Sequence, residues 1–176
     1  MTIGLRPALA GDEEFLFSVY ASERTEELEA VDWDAAQKQA FLRMQFNAQF
    51  RYYVEHYRGA EYLVILLDDQ AVGRLYIHRR SDQIRVMDIA LLPEFQRRGI
   101  GSFLLNQILE EGLKKSLPVT MHVERYHPAL HWYERLGFHL AEDKGVYYFM
   151  EWSPPTKEKS ALVGNRAERG LQPLSE

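Results

Sequence analysis

Cysteine is absent from the 176-residue chain, and its absence limits the chemistry that the protein can perform. Without thiols there are no disulfides, no thiolate metal sites and no cysteine nucleophile, and the composition suits a reducing compartment. Long apolar runs are also missing: no window of 18 apolar residues occurs, and no basic segment is followed by an apolar stretch. We therefore expect neither membrane insertion nor secretion, and we take the cytoplasm as the default location.

Charge is unevenly placed along the chain. The formal net charge of −5 argues against a nucleic-acid partner. Residues 23–34 contain six acidic residues and one arginine, whereas residues 74–98 contain six arginines and three acidic residues. The first run could attract a cation and the second an anionic cofactor, although ordinary solvated faces are the alternative, and for the acidic run this alternative is at least as well supported. From residue 153 onward the chain is polar and contains three prolines, which predicts a tail after a single domain of residues 1–152.

Hydrophobic periodicity and turn residues predict an α/β fold with a mixed, largely antiparallel sheet. The predicted order is a strand, two helices, a meander of three strands, a helix, a strand, a helix and a final hairpin. The second helix is expected to begin after Asp34, its N-cap, and to end near Tyr57. In the helix that follows the meander, the residues expected to contact the sheet are Phe103, Leu104, Ile108 and Leu113.

The junction between the strand at 84–92 and the next helix reads Gln-Arg-Arg-Gly-Ile-Gly, residues 96–101. Two glycines let the backbone take positive φ and approach a ligand, and unpaired N–H groups at a helix start favour an anion, most often phosphate. A Walker A loop is excluded because Ser102 and Phe103 follow Gly101. A dinucleotide fingerprint is excluded because Leu104 stands where a small residue is needed, and no acidic residue follows about 20 positions on. A tight turn that uses glycine for geometry alone remains the alternative.

A second motif follows about 30 residues later, where residues 127–138 read HPALHWYERLGF. The strand ending in I-A-L-L-P, the Q-x-x-G-x-G loop and this segment resemble, in order and placement, the GNAT superfamily of acyl-CoA-dependent N-acyltransferases. The resemblance runs from Thr2 to Trp152 and implies the GNAT fold, a twisted, mostly antiparallel sheet flanked by about four helices. It also implies acetyl-CoA as co-substrate and an amine-bearing acceptor, either a small molecule or a peptide.

The resemblance assigns roles to individual residues. Backbone groups expected to pair with the pantetheine arm of CoA belong to Ile89, Ala90 and Leu91. The loop expected to surround the pyrophosphate consists of Gln96, Arg97, Arg98, Gly99, Ile100, Gly101 and Ser102. Tyr133 is expected to face the thioester sulfur. His127 stands where the family often has Asn, and we expect it to contact CoA as well.

Acyl transfer to an amine calls for a base, because an amine of lysine type has a pKa near 10.4 and only about one molecule in 10³ is unprotonated at pH 7. His122 is the predicted base, since its strand position corresponds to a carboxylate in some family members. Asp88, Glu26 and Glu124, acting through water, are alternatives, and Glu26 and Asp88 are also the predicted acceptor-binding residues. Tyr133 is predicted to donate a hydrogen bond to the developing thiolate, the alternative being a role in the core alone.

These features predict an N-acetyltransferase that moves an acetyl group from acetyl-CoA directly to a primary amine in a ternary complex, since no cysteine is there to carry an acyl intermediate. His127 and His131 are spaced for a metal, but the intervening turn has no acidic residue and CoA needs the space, so no metal is expected. The alternatives are a catalytically silent CoA-binding module and an enzyme that uses a longer acyl-CoA. The oligomeric state is open, with a homodimer among the options.

Overall fold

The structure is a computed structural model that describes residues 1–156, so most of the predicted tail lies outside the described residues. Within that range the strands are β1 (Ile3–Pro7), β2 (Glu61–Leu67), β3 (Gln70–Arg79), β4 (Ile84–Leu91), β5 (Val119–Glu124), β6 (His139–Asp143) and β7 (Tyr147–Trp152). The α-helices are α1 (Glu13–Ser22), α2 (Thr25–Glu29), α3 (Ala35–His56), α4 (Ile100–Lys115) and α5 (Leu130–Arg135). None of these helices is both long and apolar enough to span a lipid bilayer.

All seven strands form one sheet in the order β1-β2-β3-β4-β5-β7-β6. Every neighbouring pair is antiparallel except β4 and β5, which are parallel. The parallel pair needs a crossover, and α4 supplies it. The prediction of a mixed, largely antiparallel sheet in an α/β fold is confirmed.

Helices cover both faces of the sheet and bury a separate core on each. On one face, α4 and β5 contribute Ile100 and Val119, which have no exposed surface. On the other face, Phe17 of α1 and Phe46 of α3 pack with Val64 of β2. A large apolar side chain that is fully buried contributes about 1.5–3 kcal/mol relative to an exposed one, so the two cores fix the helices on the sheet.

Local signals place most helix ends where the sequence predicts them. Asp34 caps α3, because its side chain accepts from the backbone N–H of Gln37 at 2.8 Å while its own backbone N–H donates to Gln37 Oε1 at 3.0 Å. The short helix α2, in the acidic connector, was not predicted. The expected contact face of α4 is wrong in part, since Phe103 and Leu113 are 44% and 50% exposed. The side chains that α4 buries, apart from Leu104 and Ile108, are instead Ile100, Leu105 and Leu109.

Candidate functional site

The sheet opens between its two parallel strands. The pairing of β4 with β5 covers only two residue pairs, Ile84 with Val119 and Arg85 with Thr120. Because both strands continue past this point, they diverge and leave a cleft between them. Residues 89–91, predicted to pair with pantetheine, lie on β4 beyond the last pair and are bonded to β3 on their other side. An extended ligand with amide groups could therefore pair with this strand edge.

A β-bulge in β4 determines which side chains face the side of the sheet covered by α1 and α3. Tyr76 of β3 pairs with Asp88, whereas the next residue of β3 pairs with Val86, so Met87 is an extra residue in β4. In a regular strand, residues three apart point to opposite faces of a sheet. The bulge cancels this alternation, so Arg85 and Asp88 both face the side covered by α1 and α3.

The loop before α4 has the backbone geometry expected of an anion site. Gly99, at the N-cap, has φ 81° and ψ 0°, and a Cβ built there would meet no atom within 4 Å. Arg97 also has a positive φ of 57°, which the sequence does not predict for an arginine. No side chain caps the first turn of α4, so its leading N–H groups are left for an anion.

The polar side chains of this loop have different surroundings. Gln96 Nε2 donates to the carbonyl oxygen of Leu91 at 3.0 Å, which ties the loop to the end of β4. Arg97 and Arg98 are exposed, and the Arg98 guanidinium carbon lies 5.3 Å from the ring centre of Phe95. All three were predicted to contact CoA. The two arginines are accessible to phosphate oxygens, whereas the Gln96 side chain is engaged with the backbone.

Gly101 serves a different purpose from Gly99. Positive φ was expected at both, but Gly101 is not among the residues with positive φ and lies inside the first turn of α4. A Cβ on Gly101 would lie 3.2 Å from Cη2 of Trp132, which is tighter than ordinary contact. Trp132 Nε1 also donates to Ser102 Oγ at 3.2 Å. The missing side chain therefore lets the Trp132 ring pack against the start of α4.

Helix α5 carries the tyrosine of the second motif. Tyr133 is 7% exposed, and its ring centre lies 4.9 Å from that of Trp132. Burial raises the pKa of the Tyr133 hydroxyl well above its usual value, and the charges of Asp88 and Glu23 raise it further. The hydroxyl therefore stays protonated at neutral pH and remains a hydrogen-bond donor.

His127 precedes α5, and its ring is bonded to the backbone just before that helix. Its Nδ1 atom accepts from the backbone N–H of Ala129 at 3.1 Å. Because Nδ1 accepts, the ring proton of the neutral form lies on Nε2. His131, four residues on, pairs with Glu134 at 3.2 Å.

Arg74 of β3 is the charged residue that organises the carboxylates on the α1 and α3 side of the sheet. Its side chain has no exposed surface, and its Nη2 atom donates to Asp88 Oδ2 at 2.7 Å. Glu23, just after α1, places Oε2 3.8 Å from the same nitrogen. A buried guanidinium is tolerated only with anionic partners, so it holds two carboxylates at the sheet surface.

The two carboxylates differ in their electrostatic surroundings. The Glu23 side chain is 29% exposed, and the pKa of its carboxyl is raised to about 7. Burial is the largest cause and repulsion by Asp88 the next, while the charges of Arg74 and Arg24 oppose the shift. Glu23 is therefore a carboxyl that gains and loses its proton near neutral pH.

The other predicted acid–base residues are His122, Glu26 and Glu124, and their surroundings differ. The His122 ring lies next to Arg85, with Nδ1 3.3 Å from Nη1, and burial followed by the Arg85 charge lowers its pKa below 6.5. Glu26 is exposed in α2 and forms no ion pair with any residue in the described part of the chain. Glu124 lies on β5, and its charge contributes to the raised pKa of Glu23.

Three residues of this site were not predicted: Glu23, Arg74 and Trp132. Glu23 belongs to the acidic run and Arg74 to the arginine-rich run. The uneven charge therefore pointed to both segments, but it did not distinguish these two residues from their charged neighbours. Trp132 lies inside the second motif, at a position that the motif leaves unspecified. Only the fold brings the three to the cleft.

Comparison with known proteins agrees with this geometry. Residues 22–138 match the model of the acetyltransferase (GNAT) family. Over 96 residues the chain is 33% identical to the ribosomal protein bS18-alanine N-acetyltransferase of Salmonella typhimurium, a match that covers 52% of this chain and 64% of the relative. The match therefore spans less than two thirds of the length of that curated relative.

Solved structures share the fold at low sequence identity. The PaiA N-acetyltransferase of Thermoplasma acidophilum, in complex with coenzyme A, has a TM-score of 0.66 at 18% identity, covering 87% of this chain and 99% of that one. The ribosomal-protein-S18-alanine N-acetyltransferase of Escherichia coli has a TM-score of 0.57 at 15% identity, covering 89% and 97%. Since the family model matches well over half of the residues, and the fold and both motifs agree, the chain belongs to the acetyltransferase (GNAT) family.

Proposed function

We propose that this chain is an N-acetyltransferase that moves an acetyl group from acetyl-CoA directly to a primary amine, of a small molecule or a peptide, in a ternary complex. One observation carries the proposal. Tyr133 and the start of α4 next to Gly99 pack in the core on one face of the sheet, whereas Glu23 and Asp88 pair with Arg74 on the face covered by α1 and α3. A thioester and an amine could therefore meet from opposite faces of the sheet.

The cofactor side of the cleft suits acetyl-CoA. The open space at Gly99, the uncapped start of α4 and the exposed Arg97 and Arg98 suit a pyrophosphate, which takes backbone N–H groups and guanidinium donors. The β4 edge at residues 89–91 suits the amide groups of pantetheine. His127 Nε2 carries a proton in the neutral ring and could donate to a ligand oxygen.

The acceptor side supplies a negative field for an ammonium group. Glu23 and Asp88 both lie against Arg74, and one of the two gains its proton near neutrality. We place the proton acceptor at Glu23, with the sequence-predicted His122 as the alternative. The ammonium group passes one proton to the base, and the free amine nitrogen then bonds to the thioester carbonyl carbon. The carbon–sulfur bond breaks, the electron pair leaves with the thiolate, and the second proton lost by the nitrogen ends on the sulfur as the CoA thiol.

Tyr133 is assigned to the departing sulfur. A hydroxyl whose pKa is raised by burial keeps its proton and can donate a hydrogen bond to the thiolate as charge develops. A thiol near pKa 8.5 is a tolerable leaving group at neutral pH, so this donor needs to contribute less than the base.

The test is the release of CoA thiol from acetyl-CoA by the full chain with a panel of acceptors. The panel contains alkyl amines, polyamines and peptides with a free N-terminal alanine, the last chosen because a relative acts on a ribosomal-protein alanine. Mass spectrometry should find one acetyl group on the amine nitrogen. Acetyl-CoA binding without thiol release, for every acceptor, would indicate the silent CoA-binding module instead.

A further inference from the structure

Arg85 is a half-buried guanidinium whose hydrogen-bond partners are all uncharged. Nε donates to Thr120 Oγ1 at 2.9 Å, and Nη2 donates to Gln83 Oε1 at 3.4 Å. Nη1 lies 3.4 Å from the Tyr57 hydroxyl and 3.3 Å from His122 Nδ1. No carboxylate of residues 1–156 lies within ion-pair distance of Arg85, unlike Arg74, which has two. A partly buried cation without a counter-ion is an unusual arrangement that an anionic ligand would complete.

The same guanidinium lines a cavity of about 210 Å³ between the end of α3 and the turn from β3 to β4. Arg80 and two histidines, His56 and His78, also line it, and none of the lining residues is acidic. His78 Nε2 lies 3.0 Å from the carbonyl oxygen of Arg58, and its Nδ1 atom is buried without a partner among the described residues. Arg80 pairs with Asp82 at 3.2 Å but is 52% exposed, so its charge is still accessible.

The cavity lies on the same side of the sheet as Asp88 and the acceptor side of the cleft. Because of the bulge at Met87, Arg85 and Asp88 face the same side of β4, and their β3 partners, His78 and Tyr76, are two residue steps apart, roughly 7 Å at 3.3 Å per residue. An aromatic wall connects the two ends, with ring centres 5.9 Å apart for Tyr57 and Tyr53, and 6.1 Å apart for Tyr53 and Tyr76. One extended molecule could reach both.

We infer that Arg85 and Arg80 form a subsite for an anionic group, a carboxylate or a phosphate, carried by the acceptor at the end opposite its reacting amine. The inference rests on the proposed function and narrows the acceptor class. The amine end lies in the negative field of Glu23 and Asp88, and the far end lies in a cavity with only cationic and neutral walls. The acceptor is therefore a dipolar molecule or a peptide with an acidic group near its amino terminus, and not a polyamine.

The first measurement is independent of turnover. Inorganic phosphate is titrated by calorimetry into the protein saturated with CoA, which keeps the Gly99 loop filled, at fixed ionic strength. Wild type should bind phosphate, and both Arg85→Gln and Arg80→Gln should weaken binding about tenfold or more, since a charge-assisted hydrogen bond is lost.

Arg80 is the second variant because its exposed side chain is not needed for folding. Arg135→Gln, on an exposed part of α5, removes the same charge elsewhere and should bind as wild type. Equal phosphate affinity in all four proteins overturns the subsite.

The second measurement asks whether the anion belongs to the acceptor. The probes are 8-aminooctanoate and 8-aminooctanamide, which differ in one charge at the end of the chain opposite the amine. Wild type should prefer the carboxylate about tenfold in kcat/KM, and Arg85→Gln and Arg80→Gln should erase the preference. Equal use of both probes by wild type, with phosphate binding intact, overturns the acceptor assignment in favour of a free anion. Arginine-dependent phosphate binding without acetylation of any amine leaves the subsite standing and removes the proposed function.

Discussion

Glu23 Oε2 lies 3.8 Å from Nη2 of Arg74, a guanidinium that has no exposed surface, and Asp88 approaches the same nitrogen at 2.7 Å. The Asp88 carboxylate is therefore fully paired with the guanidinium, whereas the charge of the Glu23 carboxylate is only partly compensated. Burial and the charge of Asp88 raise the pKa of Glu23 to about 7, so its base form and its acid form are both populated at neutral pH. A base with this pKa is well matched to proton transfer at that pH.

The pH dependence of the rate should therefore identify the base. If Glu23 accepts the proton, kcat/KM falls as the pH drops through about 7, because the protonated carboxyl cannot accept a second proton. If His122 is the base, the fall comes below pH 6.5, since its pKa is lowered by burial and by Arg85. Initial rates of thiol release between pH 5 and 9 distinguish the two.

Substitution gives the matching control for that profile. Glu23→Gln should lower kcat/KM by about 10²–10⁴ and abolish the inflection near pH 7, as expected for loss of a general base. His122→Gln should keep the inflection. An unchanged inflection in Glu23→Gln, together with its loss in His122→Gln, would return the role to the residue that the sequence predicted.

Glu23 should also make folding stability depend on pH. Its pKa is about 7 in the folded protein against 4.5 ordinarily, so the folded state binds more protons between these values. Stability from this group is therefore full below pH 4.5 and is lost as the pH rises through 7. Glu23→Gln should raise Tm at pH 8 and change it little at pH 5. Each kcal/mol gained in the free energy of unfolding should raise Tm by about 2–4 °C. A Tm increase of the same size at both pH values would contradict the raised pKa.

Gly99→Val should abolish acetyl-CoA binding. The Gly99 φ of 81° is unfavourable for any side chain, and the strain falls on the loop that is proposed to contact the pyrophosphate. Gly59 is the control, because its φ is 84° and a Cβ built there also meets no atom within 4 Å. Adding a side chain at Gly59 should therefore cost about as much conformational strain as at Gly99. Gly59→Val should lose a similar amount of stability and keep its affinity by calorimetry. Retained affinity in Gly99→Val removes the loop assignment.

Tyr133→Phe should leave acetyl-CoA affinity near that of wild type and lower kcat. The ring contacts with Trp132 and Phe138 remain, and only the protonated hydroxyl is removed. We expect a loss of about tenfold to a hundredfold, smaller than for the base because the thiolate is a moderate leaving group. Tyr126→Phe, at a residue that is 90% exposed, is the control. A wild-type kcat in Tyr133→Phe would leave Tyr133 with a structural role only.

The fold could be predicted because its signals are local. The cap of α3 at Asp34 lies within four residues of the chain, and the glycine loop between β4 and α4 is a short contiguous motif. The exposed positions of Phe103 and Leu113 were not predicted, since periodicity marks a face of a helix but not how much of it the sheet covers. The same limit applies to α2, whose five residues are mostly acidic and carry no apolar period.

The acceptor side of the site could not be read from the sequence. The acidic run suggested Glu26, yet Glu23 is the member that reaches Arg74, and a difference of three residues there depends on where α1 ends. Asp88 faces the same side as Arg85 only because Met87 is an extra residue in β4. A bulge has no reliable sequence signal, since it arises from the pairing with the neighbouring strand.

Gly101 and Trp132 should be energetically coupled. A Cβ at Gly101 would lie 3.2 Å from the Trp132 ring, so Gly101→Ala must displace the ring by a few tenths of an ångström and with it the hydrogen bond to Ser102. We expect weaker acetyl-CoA binding and lower stability from this change. Trp132→Phe removes the clashing ring, so adding the alanine to that variant should cost less, by about 0.5–3 kcal/mol in a double-mutant cycle. Gly11→Ala, where a Cβ meets nothing within 4 Å, is the control for the change itself. Additive free energies in the cycle would mean that Gly101 is needed for the loop backbone and not for its contact with Trp132.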